Sequence, residues 1–183
     1  MPSLAAPMPP AKSFFRRFGR NRRGSAAVEF ALVAPLFFAL LFAIIETGIM
    51  FFASQVLETV TQESARQILT GQAQGANYQS WSNFRDNVVC PQIPALLTCA
   101  NISVDVESYP AFSNVVLTNH VNNGNFDPSG LGYNPGGPGS TVVVQLFYQW
   151  PLIVTGLGYN ISNLNGHQRL LIATAAFQNE PYQ

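Results

Sequence analysis

Charge is scarce in this chain of 183 residues: Asp, Glu, Lys and Arg make up 10% of it, against roughly 25% in ordinary soluble domains. That scarcity, beside 48% hydrophobic residues, excludes an acidic or basic disordered protein, which needs high charge and few apolar groups. Two cysteines are too few for a disulfide-dense scaffold, and the 14 glycines lack the three-residue period of collagen. Histidine is nearly missing. His120 and His167 have no catalytic partner motif in sequence, and no G-x-S-x-G elbow occurs. Gly130-Leu131-Gly132-Tyr133-Asn134 recurs as Gly156-Leu157-Gly158-Tyr159-Asn160. Neither copy continues to a third glycine or a P-loop lysine, so both read as turn chemistry. Asn123, Asn125 and Asp127 offer oxygen donors, but one carboxylate without a closing glutamate falls short of a calcium loop. These absences point away from an enzyme, a cofactor, a resident metal and a nucleic-acid partner.

What charge there is lies apart. Residues 1–23 carry Lys12, Arg16, Arg17, Arg20, Arg22 and Arg23 and no acid, while the remainder holds three basic and nine acidic groups. Between them, Phe30 to Ala53 is 24 residues with one charge, Glu46. As a helix it measures roughly 36 Å, enough to cross a hydrocarbon core of about 30 Å with some tilt. A buried core helix of this kind rarely stays apolar on every side for 16 residues. A cleaved secretory signal fits the basic start, and Arg16-Arg17 is similar to a twin-arginine signal. The apolar run is nevertheless longer than such signals need, and Phe52-Ala53-Ser54 is a poor cleavage site. An uncleaved anchor is the remaining reading. Retention of Lys and Arg on the cytoplasmic side places the N-terminus inside and the rest of the chain outside. Pro35 removes one helix donor, which predicts a kink or local melting.

Glu29 and Glu46 are 17 residues apart, roughly 25 Å along a helix, so they cannot pair within one chain. Glu29 can sit at the cytoplasmic boundary. Glu46 lies nearer the outer one, where a carboxylate either snorkels, takes a proton, or finds a partner on a neighbouring helix.

The run Arg22-Arg23-Gly24-Ser25-Ala26-Ala27-Val28-Glu29-Phe30-Ala31-Leu32-Val33 resembles the N-terminal signature of the TadE-like family. These are minor pilins or pseudopilins of tight-adherence (Flp, type IVb-like) pilus systems. Glu46-Thr47-Gly48 is similar to that family's acidic residue and glycine, and Ala175 to Tyr182 resembles its C-terminal ending. The resemblance implies a processing site at Gly24 and Ser25 and assembly pairing through Glu29 and Glu46. It also implies other pilins and pseudopilins, a prepilin peptidase and an inner-membrane assembly platform as partners, besides the lipid bilayer. Phe30 stands where major Flp pilins usually carry Tyr, and the exported part is large; both features fit a minor component.

That pairing has a physical basis of its own. Cleavage after Gly24 would free an α-amine on Ser25, largely cationic at neutral pH given a reference pKa of about 7.7–8.0. A carboxylate in an apolar bundle is costly alone and much less so when paired, so Glu29 of one subunit can meet the Ser25 amine of the next and fix axial register. Ala26, Ala27 and Ala31 permit close helix contact, although alanine is also simply a good helix former.

Beyond Ala53, Val56, Leu57, Val60, Ile68 and Leu69 recur every three or four residues, which predicts that the helix continues to about Leu69 and stops at Gly71 and Gly75. Trp81 to Val89 reads as a short helix. Cys90 and Cys99 are expected to form a disulfide in an exported chain, with reduced buried thiols as the alternative; two histidines and the wrong spacing disfavour a metal. Ile102 to Glu107 alternates as a half-buried strand, Val142 to Trp150 is β-branched and aromatic, and Leu170 to Phe177 is taken as a strand despite its alanines. Asn122 to Gly139 reads as a long surface loop. The expected fold is α+β, a long N-terminal transmembrane and amphipathic helix followed by a small antiparallel sheet. Its parts are a basic cytoplasmic leader over 1–24, the helix over 25–70 spanning at about 30–53, and an exported domain over 71–183. Two functions remain open: an assembly component processed after Gly24, or an unprocessed single-span binding module. Either sits in the inner membrane with its C-terminal part periplasmic or extracellular.

Overall fold

The computed structural model describes residues 24–154 and 159–181. The arginine-rich leader, most of the second Gly-Leu-Gly-Tyr-Asn copy and Tyr182 lie outside the described residues. The chain divides into two compact units between Phe42 and Ala43.

Helix α1 is Ser25–Leu69, one element of 45 residues with Pro35 inside it. It is unbroken at Pro35, so the expected local melting is absent. One missing donor interrupts a single bond, and the rest of the ladder carries the helix through. In the first unit no described residue is buried, and Leu32, Val33, Phe37 and Phe42 are all exposed. An apolar surface on every side is stable in lipid and not in water.

In the second unit α1 acquires a buried seam: Ala43, Glu46, Met50, Ala53, Leu57, Val60, Ser64 and Ile68. Steps of three and four keep these positions on one face. Leu57 and Ile68 pack in one cluster with Val104, Val144, Leu146 and Ala173 of the sheet. Full burial of a side chain of this size stabilises by about 1.5–3 kcal/mol. The expected end of the helix holds: Gly71 follows with φ 77°, a left-handed backbone that glycine adopts freely.

Two single-turn helices follow, α2 (Gln72–Gly75) and α3 (Trp81–Phe84). The Ser80 hydroxyl caps α3 by accepting the Asn83 N–H. The expected helix to Val89 is only partly α-helical. Arg85–Val89 widens into a π-turn, in which Cys90 N–H donates to Arg85 O, and Cys90–Gln92 then tightens to a 3-10 turn.

The sheet has strands β1 (Ile102–Tyr109), β4 (Thr141–Pro151) and β5 (Gln168–Gln178), in the order β1-β4-β5 and antiparallel throughout. Val104 lies opposite Leu146, which lies opposite Ala173, so one set of alternate residues faces α1. The other face is covered too. Phe147, Leu164 and Leu170 are buried there against Val121, Phe126 and Leu131. That cover comes from the stretch expected to be a long surface loop. It contains a hairpin, β2 (Val121–Asn122) and β3 (Asn125–Phe126), turning at Asn123 and Gly124 with φ 50° and 76°. Asn-Gly is the pair a two-residue hairpin turn selects, because both central residues need positive φ. A Cβ at Gly124 would also come within 2.9 Å of Asn165 Oδ1. Further on, Tyr133 forms a parallel bridge with Val106, so the first Gly-Leu-Gly-Tyr-Asn copy extends the β1 edge.

Candidate functional site

Gly24 precedes the first residue of α1, Ser25, and Glu29 stands one turn further along. All three are exposed. The neighbours Val28 and Phe30 are exposed as well, so this turn is open to another helix.

Glu46 belongs to a different environment. It is buried, and its carboxylate accepts two consecutive backbone N–H groups, Ile153 through Oε1 and Val154 through Oε2, the latter at 2.9 Å. The next residue joins in: the Thr47 hydroxyl bonds the Ala43 carbonyl at 2.7 Å and meets the Tyr159 hydroxyl. Glu46 and Thr47 therefore hold both sides of the connection between β4 and β5. Two consecutive backbone amides would otherwise need water, and a carboxyl group offers two oxygens to accept them. Gly48 meets nothing: a Cβ there would have no atom within 4 Å.

Cys90 and Cys99 are joined in a disulfide, Cα atoms 5.5 Å apart. The Asp86 carboxylate lies beside it, within 4.8 Å of both sulfurs, but a disulfide offers no thiolate to a metal.

Two polar arrangements escaped the sequence reading. Asp105 and His120 are both buried, their carboxylate and ring 3.5 Å apart. Burial pushes the Asp105 carboxyl above its usual range, and the Gly132 N–H, donating to Oδ1 at 2.7 Å, partly opposes this. His120 also packs edge-on against Phe147, with ring centroids 5.1 Å apart. Shut away from solvent, the pair ties the hairpin segment to β1. Burial likewise raises the Tyr133 phenol. The second arrangement is Asn179, buried just past β5. Its side-chain amide donates to the Pro135 and Gly137 carbonyls at 2.9 and 3.0 Å, while Glu180 N–H donates to Leu69 O at the end of α1. The only sequence signal for it was the resemblance of the C-terminal ending to a family pattern.

A single long apolar helix followed by a small antiparallel sheet, with a glutamate on the helix binding the sheet's connection, defines an α+β protein suited to single-pass membrane anchoring. Residues 24–66 match the family model described as TadE-like protein. The matched segment is under a quarter of the chain; it opens on Gly24, carries Glu29, Glu46 and Thr47, and agrees with the resemblance of this helix to that family. Compared with curated proteins and with solved structures, the chain finds no match.

Proposed function

We propose that this chain is a minor pilin or pseudopilin of a tight-adherence pilus, an assembly component processed after Gly24. One observation carries the reading: the family match opens on Gly24 and the long helix opens on Ser25, the residue that cleavage would make the new N-terminus. In this reading a prepilin peptidase removes the leader, and other pilins and the inner-membrane assembly platform receive the mature helix. The Ser25 amine of one subunit meets Glu29 of the next, an ion pair that is far less costly in an apolar bundle than a lone carboxylate. The exposed turn around Glu29 supports such a contact. The disulfide supports an oxidising, exported setting for the sheet.

N-terminal sequencing of the mature protein tests the processing step. Ser25 at the N-terminus is the expected result, and an intact Met1 overturns it. Glu29→Ala should insert into the membrane normally and yet assemble poorly, as read by the amount of chain recovered with sheared pili; undiminished assembly overturns the pairing. The alternative, an unprocessed single-span binding module, draws on the exposed side chains of Phe112, Val116 and Leu117. It would keep Met1.

A further inference from the structure

We propose that the outer edge of β5 is a docking edge for an extended segment of a different protein, which joins the sheet as a further strand. The edge is read from the sheet itself; the choice of partner rests on the single-pass anchoring of α1.

The strand order β1-β4-β5 leaves β5 at one side of the sheet. Along a strand, backbone groups point alternately toward one neighbour and away from it. The Gln168 carbonyl accepts the Leu164 N–H, the Leu170 N–H donates to Asn163 Oδ1, and the Glu180 N–H donates to Leu69 O. The even-numbered residues therefore turn their backbone groups away from β4, and the chain covers both ends of that edge itself. Between these covers, the outward groups of Ile172, Thr174 and Ala176 meet no partner among the described residues, and all three residues are exposed. The usual guards against strand addition are missing here. Residues 170–179 hold no charge and no proline, and pairing with β4 runs through all 11 residues without a bulge.

A row of N–H and C=O groups at this spacing is matched by another extended backbone. That fixes the conformation of the occupant, and the frame of the molecule narrows its source. Glu46 is tied to Ile153 just past the end of β4, and Leu69 to Glu180 just past the end of β5, so α1 runs along the sheet in the direction of β5. The β5 of a second copy pairs antiparallel only about a two-fold axis normal to the sheet, and that axis turns α1 upside down. Copies anchored in one bilayer hold α1 the same way up. Parallel pairing would keep the helices aligned, but it would bring Arg169 beside Arg169 at one end and Glu180 beside Glu180 at the other. Like charges on neighbouring strands are destabilising. A strand from another protein meets neither obstacle. The same two charges state its chemistry: an uncharged extended segment with an acidic residue at the end that meets Arg169 and a basic one at the end that meets Glu180.

The test uses the full chain, one copy per lipid nanodisc, with a synthetic peptide of the sequence Arg169–Glu180 as the probe. Being unanchored, the peptide is free to dock antiparallel, which sets its Arg and Glu against Glu180 and Arg169 of the chain. Amide exchange is read without peptide and at saturation. The N–H groups of Ile172, Thr174 and Ala176 should exchange freely in the chain alone and slow about tenfold or more with peptide, while Leu171 and Ala173, which bond β4, stay unchanged. Ala176→Pro removes an outward donor and none that β4 uses. It should bind the peptide about tenfold more weakly, with exchange at Val144 showing that the sheet is intact; Ile172→Lys, which places a charge on the edge and leaves every backbone group, is the second variant. Undiminished binding in both overturns the inference. Outward amides already slow in single copies assign the edge to a segment of the same chain, and slowing that needs only two copies in one disc assigns it to a second copy; either result overturns it. Anchoring is read separately, by flotation with vesicles after an alkaline wash. A chain that stays with the lipid but does not take the peptide overturns the inference alone, and a chain that washes off overturns the anchoring and with it the exclusion of a second copy.

Discussion

Glu46→Ala removes the one side chain that binds both the Ile153 and Val154 amides. Hydrogen bonds to a charged acceptor contribute about 1.5–3 kcal/mol each. Two such bonds set a ceiling of about 6 kcal/mol, but they share one carboxylate and the opened turn relaxes toward water, so the working expectation is about 2–4 kcal/mol. At 1.36 kcal/mol per factor of ten, local opening at these two amides should become about 30- to 900-fold more frequent. Glu46→Gln keeps one acceptor oxygen and turns an NH2 group toward the other amide. It should lose one bond, about 1–2 kcal/mol or roughly 5- to 30-fold. Amide hydrogen exchange on the full chain in lipid nanodiscs reads this directly, with Val144 and Leu146 in the middle of β4 as internal references. Unchanged exchange at Ile153 and Val154 in Glu46→Ala would refute the reasoning. Equal acceleration at Val144 and Leu146 would refute it as well, because the substitution would then be loosening the whole unit rather than this turn.

Three further outcomes follow from other sites. Because burial holds the Asp105 carboxyl above its ordinary 3.8, the folded chain keeps that proton to higher pH than the unfolded one, and this group's contribution falls as pH rises from about 3.8 through the raised value. Asp105→Asn keeps an oxygen for the Gly132 N–H and should flatten that part of the stability profile; urea midpoints with the same slope across the acid range would contradict it. Asp127 has the opposite sign, its carboxyl held down by the Ser129 hydroxyl and N–H, so only the difference between variant and parent isolates Asp105. Asn179→Ala removes one donor from each of the Pro135 and Gly137 carbonyls, which keep Gln74 Nε2 and the Ser140 N–H, and should cost about 1–2 kcal/mol, seen as a lower urea midpoint; an unchanged midpoint would show that the two Asn179 bonds add nothing to stability. Cys90→Ser with Cys99→Ser opens a short loop and should cost about 2–3 kcal/mol. In the parent chain, alkylation without reduction should add no mass to either cysteine.

The long helix was legible in the sequence because its causes are local. An apolar run, a three-and-four seam from Leu57 to Ile68, and a left-handed Gly71 fix its extent without help from elsewhere. The strands β1 and β4 were legible for the same reason, through alternation in one and β-branched and aromatic density in the other. β5 was ambiguous: alanine favours helix, and pairing with β4 over 11 residues overrides it. The hairpin at Asn123-Gly124 carried a local signal that the surrounding glycine and proline obscured. Glu46 shows the boundary most clearly. Its position in an apolar helix marked it as a residue that needs a partner, since an unsatisfied carboxylate is costly away from water. The partners, two amides more than 100 residues further on, have no side-chain signature, because every residue except proline carries the same backbone N–H. Asp105 with His120, and Asn179 with the carbonyls it binds, are of the same kind. The sequence alone determined which segment is apolar, where the helix starts and stops, and which lone charge must be satisfied. Only the tertiary structure decided what satisfies it, because that depends on which distant backbone the packing of α1 against β4 and β5 brings within hydrogen-bond reach.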